Sequence, residues 1–367
     1  MTATTGATGP AAAATGAVET SARHDRNRDR KRSGRRKGAF LARRLGFYLV
    51  AGWSAITLNF VIPRLMPGDP SAAIIDQLER VSGQALPPAT LVSIQGLFGN
   101  PDDSLFEQYI AYLGQLARFD LGLSIVNFPV PVAELVAAGL PWTLLLVGTT
   151  TVLSFILGTA LGVAAGWRAG SRFDAILTPL TTFLSSVPYF WVALLALWLF
   201  GFLWGWFPLS GGYDPNLVIA FEPAFIGSVL QYGILPAATI VFSAFGGWML
   251  GMRNMTVTTV REDYVLLAQA KGLSPARVRW RYAARNAMLP QFTGFAMALG
   301  GVVGGALLTE IVFSYPGIGY LLFSALQKRD YPVMQGVFLL VTLTVLLANL
   351  IADSVYVWLD PRVREEK

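Results

Sequence analysis

Apolar residues along this chain gather in blocks, and the stretches between the blocks collect the charges, prolines and glycines. Six blocks stand out, at about 43–64, 140–166, 176–204, 231–253, 291–313 and 333–358. A helix rising 1.5 Å per residue needs roughly 20 apolar residues to cross a hydrocarbon core of ~30 Å, so each block is long enough for one crossing. The pattern predicts an all-α integral membrane protein of six transmembrane helices. Its expected divisions are a disordered tail over 1–38 and a membrane domain over 39–367. That domain holds an external segment at about 66–139 and a cytoplasmic polar segment at about 256–290.

The sidedness follows from the cations, which are retained in cytoplasmic connections. Lys and Arg concentrate in the N-terminal tail, at Arg168 and Arg172, in the polar segment between the fourth and fifth blocks, and in the closing "DPRVREEK". From Pro67 to Gly139 the only cations are Arg80 and Arg118, among eight acidic residues from Asp69 to Glu134. The connection from Gly205 to Leu230 has Asp214 and Glu222 and no cation. Both termini are therefore expected in the cytoplasm. Within the external segment, "PGDP" predicts a turn and "FEQYIAYLGQLARF" an amphipathic helix.

Composition agrees with the membrane class: 54% of residues are hydrophobic and 14% charged, against about a quarter charged in soluble domains. Cysteine is absent, which excludes disulfides, thiol nucleophiles and Cys-ligated metals, and the one histidine, His24, lies in the tail. The basic run "RHDRNRDRKRSGRRK" admits binding to nucleic acid or anionic lipid. A topogenic role holding the tail in the cytoplasm is the simpler account, and for the chain as a whole membrane lipid and no nucleic acid is the expected partner.

Inside the blocks, Gly158, Gly162 and Gly166 recur every four residues, as do Gly300 with Gly304 and Gly301 with Gly305. Such stripes let a neighbouring backbone approach closely. The first is expected to serve internal packing; the second fits either internal packing or contact with another subunit. Pro179, Pro188 and Pro236 are candidate kinks. Glu310 and Asp353 are the acids expected at or near membrane depth, where such groups are functional candidates.

The polar segment "REDYVLLAQAKGLSPARVRWRYAARNAMLP" reads as two helices with a sharp joint. Glu262 to Lys271 has acids in its first turn and a lysine in its last, and Gly272 ends it. Ser274 and Pro275 supply an N-cap and a first helical position for a second helix running toward Met288. Arg277, Arg281 and Arg285 form a cationic edge on that helix, and Trp280, Ala284, Ala287 and Met288 a less polar one; Tyr264, Leu267, Ala268 and Lys271 share a face of the first. The pair could lie on anionic headgroups or dock in a groove of a cytoplasmic protein. A fixed joint suits docking.

The order of residues in "EDYVLLAQAKGLSPARVRWRYAARNAMLP" resembles the cytoplasmic loop of permease subunits of ABC importers of the dipeptide and oligopeptide type. "RLMPGDP", "RFDLGLS", "SVPYFWVALLALWLF", "TEIVFSYPGIGYLLFSAL", "DYPVMQG" and "DPRVR" follow in the same order as that family's landmarks, from about residue 40 to the end. The resemblance implies that this loop docks an ATPase, with Glu262, Asp263, Tyr264, Ala268, Ala270, Lys271, Gly272 and Leu273 in its first half and Arg285, Asn286, Ala287 and Pro290 in its second. Two departures are visible. Leu266, Leu267 and Ala268 stand where the broader consensus reads Glu-Ala-Ala, and Tyr282 stands where histidine is common.

The resemblance further implies a non-catalytic subunit of the bacterial inner membrane. Its partners would be a second homologous permease, one or two cytoplasmic ATPases that bind the ATP and Mg, and an external substrate-binding protein delivering peptide. The chain shows no G-x-x-x-x-G-K-[ST] phosphate loop of its own, so no cofactor is expected in it. A secondary transporter would instead call for unwound spans and paired midplane charges, and a channel remains a formal alternative.

Overall fold

The computed structural model describes residues 46–62, 104–304 and 306–359, with isolated positions 75, 79, 83 and 84; side chains are described as far as residue 351. The tail, the "PGDP" turn, Gly305, the Asp353 side chain and the closing "DPRVR" lie outside the described residues. Regular structure among the described residues is helical, apart from one antiparallel bridge between Leu123 and Pro131.

In chain order, α1 is Gly46–Ile62, α2 Leu105–Ala117, α3 Val132–Trp167, α4 Arg172–Ser186, α5 Tyr189–Leu203 and α6 Pro223–Thr259. They are followed by α7 Asp263–Ala270, α8 Pro275–Gly300, α9 Leu307–Val312, α10 Ile318–Lys328 and α11 Tyr331–Leu359. Among the described residues three helices, α3, α6 and α11, are each long and apolar enough to cross a membrane. Counting each of the bent pairs, α4 with α5 and α8 with the segment ending in α9, as one span would bring the number to five. The shorter α1 falls on the first apolar block.

The boundaries depart from the block pattern for local reasons. α3 starts eight residues before the expected position, because Pro131 fixes an extended backbone just ahead of it and Glu134 complements its first turn. Pro141 is accommodated inside it, directly before a π-helical stretch over Leu144–Gly148. Of the three candidate kinks, Pro188 alone interrupts a helix: Val187 is extended (φ −79°, ψ 125°), as a residue before proline prefers, and α4 and α5 meet at 91°. Pro179 and Pro236 sit inside continuous helices.

The glycine stripe of α3 makes its expected close approach. A Cβ on Gly158, Gly162 or Gly166 would stand 2.6, 2.5 and 2.7 Å from the backbone oxygens of Phe245, Met249 and Arg253, so nothing larger than hydrogen fits. The contacts advance together along both helices, which makes α3 and α6 parallel neighbours with backbones touching. The second stripe is arranged differently. α8 ends at Gly300 and the chain turns at Gly301 before a 3-10 turn at Val302–Gly304, so Gly300 and Gly304 do not share one continuous helix. Gly300 instead abuts Ala348 of α11 within this chain, and Gly304 lies against Val341.

α2 begins with a capping box in which Ser104 and Glu107 exchange hydrogen bonds. The Ser104 donors hold the Glu107 carboxyl below its usual range. Tyr109 and Tyr112 of α2 bond to Thr57 and Asn59, and Asn59 exchanges two hydrogen bonds with Gln335 of α11.

Candidate functional site

The elbow formed by α7 and α8 grows directly out of α6. Three residues, Val260 to Glu262, separate the end of α6 from α7. Glu262 occupies the N-cap position and Lys271 the C-cap, and Gly272 takes φ +73°, a left-handed conformation that glycine adopts at no steric cost. Ser274 and Pro275 then open α8 as the sequence predicts, although the Ser274 side chain makes no capping bond. The second helix does not stop near Met288. It continues through a π-helical stretch at Val278–Ala284 and past Pro290 to Gly300, so the elbow and the fifth apolar block are one piece of helix.

The elbow has its own small core. Val265, Ala268 and Val278 are buried together, with Trp167 from the end of α3, Leu273 and Tyr282 around them. One turn on, Ala284 and Ala287 pack on Val163 of α3 and Met252 of α6. The faces therefore differ from those drawn from sequence: Ala268 points inward while Tyr264 and Leu267 stay exposed, and Trp280 is exposed, away from Ala284 and Ala287.

Of the residues singled out from sequence, Glu262, Asp263, Tyr264, Ala270, Lys271, Gly272, Arg277, Arg281, Arg285 and Asn286 are all exposed, Leu273 is half-buried and Ala268 is buried. Leu266 and Leu267 are 50% and 56% exposed on a helix otherwise flanked by charge, an arrangement that water alone does not favour. Lys271, Arg277, Arg281 and Arg285 form no ion pair with a carboxylate among the described residues. Open grooves flank the elbow, one along Thr258, Arg261 and Asp263, the other along Arg281, Arg285, Met288 and Phe292.

Polar groups bind the helices on either side, and of the acids among them only Glu310 was singled out from sequence. Asp174, 3% exposed in the first turn of α4, receives Arg253 Nε at 2.6 Å and Nη2 at 2.7 Å, together with the Gly170 amide at 2.9 Å and the Thr178 hydroxyl at 2.8 Å. The visible signal was a lone acid opening one apolar block and a lone base closing another. At the other end of α3, about 36 Å away along the helix, Glu310 is fully buried. It accepts hydrogen bonds from the Thr143 hydroxyl at 2.9 Å and from the amides of Gly319 at 2.7 Å and Tyr320 at 3.2 Å, while Thr143 accepts from Ile318 N–H at 2.8 Å. These are the first amides of α10, so Glu310 and Thr143 cap that helix from outside it. Asp330 does similar work, accepting from the Ser124 hydroxyl at 2.5 Å and from the amides of Ile125 at 3.1 Å and Val126 at 3.2 Å. No group of three His, Asp or Glu residues that could hold a metal ion is present among the described residues.

Comparison with known proteins agrees with these features. The family model described as "Binding-protein-dependent transport system inner membrane component" matches residues 158–365, which include the elbow, Asp174, Arg253 and Glu310. A di/tripeptide transport system permease protein of Pseudomonas aeruginosa is 35% identical over 345 residues, covering 90% of this chain and 99% of its own. An oligopeptide transport system permease protein of Bacillus subtilis is 32% identical over 308 residues, covering 83% and 93%, and a dipeptide transport system permease protein of Escherichia coli is 32% identical over 348 residues, covering 89% and 99%. Match length and shared identity together place the chain: it belongs to the family of binding-protein-dependent transport system inner membrane components.

Proposed function

We propose that the chain is a permease subunit of an ATP-driven peptide importer. A second, homologous permease completes the path, separate ATPase subunits supply the energy, and an external binding protein delivers peptide. The observation that carries the coupling part is the elbow. Tyr264, Leu266 and Leu267 are exposed on an elbow that also carries exposed cations, while Val265, Ala268 and Val278 hold the joint from inside. Such a surface suits helix-in-groove docking, with apolar anchors in the groove and cations at its rim. Because α8 runs unbroken from the joint to Gly300, a displacement of the elbow by the ATPase reaches the fifth apolar block without passing through a loop. The six-span arrangement, the cytoplasmic placement of both termini and the peptide substrate belong to the same proposal, supported by the cation distribution and by the transport names of the relatives.

The test is uptake of a labelled dipeptide into proteoliposomes holding the chain with its second permease, ATPases and binding protein. Uptake should require ATP hydrolysis, and an Ala276→Cys variant, unique in a chain without native cysteine, should crosslink to the ATPase. Uptake that persists without ATP would remove the proposal.

A further inference from the structure

α4 is attached to the rest of the molecule in an unusual way. Its buried residues are Asp174 and Thr181, both polar, while Phe173, Ile176, Leu180 and Phe183 are exposed. At its far end Val187 and Pro188 break it from α5 at 91°. It is thus a 15-residue arm, about 22 Å long, that bends sharply into α5 at one end. Over its second half, Gly246 of α6 takes the Ser185 hydroxyl and the Thr181 carbonyl against its bare Cα, and the Thr181 hydroxyl meets the Met249 sulfur at 3.6 Å. At the elbow end, the bidentate contact of Arg253 with Asp174 holds the arm, and the same carboxylate fixes the preceding turn through Gly170.

Arg253 belongs to the elbow's own support. Its carbonyl lies against Gly166 of α3, and Met252 beside it packs on Ala284 and Ala287 of α8. Trp167, the last residue of α3, covers the elbow core. The elbow and the ends of α3, α6 and α8 therefore form one block joined by apolar packing, to which the elbow end of α4 is joined by charge. A guanidinium–carboxylate fork is directional in a way that apolar contact is not.

We infer that Asp174 and Arg253 are a positioning pair that makes α4 turn with the elbow, so that motion received at the docking surface is delivered to α5 through a pivot at Pro188. The inference rests on the coupling role proposed above. With the fork cut, the elbow still docks and the ATPases still close, but α4 no longer follows.

The experiment uses the assembled complex in proteoliposomes and measures peptide taken up per ATP hydrolysed. Asp174→Asn should keep ATP hydrolysis and the Ala276→Cys crosslink within about twofold of the parent while uptake falls at least about tenfold. The exchange Asp174→Arg with Arg253→Asp should restore part of the uptake. A pair that only supports folding would lower assembly, hydrolysis and uptake together and leave the ratio unchanged, which overturns the inference. Arg253→Lys, which keeps the charge and loses the fork, gives the same reading if Asp174→Asn fails to assemble. Spin labels at Phe173→Cys and Ala276→Cys supply a second measurement in the otherwise parental complex. Their separation should stay constant when ATP binds, and a change would show that α4 does not follow the elbow. Parental uptake indifferent to ATP would defeat the coupling role itself, whereas ATP-driven uptake with an unaltered ratio in Asp174→Asn defeats the pair alone.

Discussion

Buried carboxylates occur at both ends of α3, and they are satisfied by different partners. Toward the start of α3, Glu310 and Asp330 accept hydrogen bonds from backbone amides and hydroxyls, and neither meets a cation among the described residues. Near Trp167, Asp174 meets the Arg253 guanidinium. An amide is fixed by the main chain, so the first end ties segments into one geometry: α9 to α10, and the turn at Ser124–Val126 to the start of α11. A helix N-terminus also offers partial positive charge, which offsets the burial of Glu310 without a counter-ion. A guanidinium stands at the end of a flexible stem, so the second end can be held firmly and still be released or turned. The molecule is framed at one end and jointed at the other.

The largest effect is expected where the frame is cut. Glu310→Ala leaves the Gly319 and Tyr320 amides and the Thr143 hydroxyl without their acceptor in a fully buried site. At about 1–3 kcal/mol for each buried polar group left unsatisfied, with some relief from relaxation, the loss is about 3–4 kcal/mol. In detergent this should appear as a lower midpoint of thermal unfolding and poor yield. Glu310→Gln keeps one carbonyl acceptor and should lose less than half as much. Equal tolerance of both changes would show that the frame does not depend on this carboxylate and would erase the contrast between the ends.

How far the sequence reveals these two regions depends on the range over which each is specified. The seam of Gly158, Gly162 and Gly166 is legible because its cause is local: a four-residue period on one helix needs only a neighbour. The same spacing at Gly300 and Gly304 misleads, because the helix carrying it breaks at Gly301. The joint at Gly272 to Pro275 is legible from turn and cap chemistry. The burial of Ala268 with exposure of Leu267 is not, because α7 spans only eight residues and its inward face is chosen by Trp167 and Val278 from distant sequence. Pro188 breaks a helix where Pro179 and Pro236 do not, which depends on whether neighbours satisfy the freed carbonyls. Asp174 and Arg253 lie 79 positions apart, so neither announces the other. Glu310 is visible as an acid in an apolar block, but its role as a cap requires the chain to fold back through Pro316 and Gly317.

An intermediate effect separates stability from docking at the jointed end. Leu267 is more than half exposed and takes no part in the elbow core, so Leu267→Ser should leave the unfolding midpoint of the isolated chain nearly unchanged, within about 0.5 kcal/mol. Covering a leucine side chain is worth about 1.5–3 kcal/mol, and about half of that remains to be gained on docking. ATPase binding to the solubilised permease pair, measured by titration, should weaken by about three- to tenfold. A loss of thermal stability instead would assign Leu267 to the frame and not to the docking surface.

The smallest effect tests the rim. Arg277 is exposed and makes no ion pair among the described residues, so Arg277→Gln removes only a solvent-screened attraction to an acidic partner surface. Exposed pairs contribute about 0.2–1 kcal/mol, which corresponds to less than about sixfold in affinity. Because such attraction weakens as the screening length shortens from about 10 Å at 0.1 M salt to about 3 Å at 1 M, the parental and Arg277→Gln complexes should differ at low salt and converge at high salt. Asp174→Asn should show no such convergence, since its fork is largely shielded from solvent. Salt dependence therefore separates the charges that meet the partner from the charge that holds α4, even where both substitutions lower uptake.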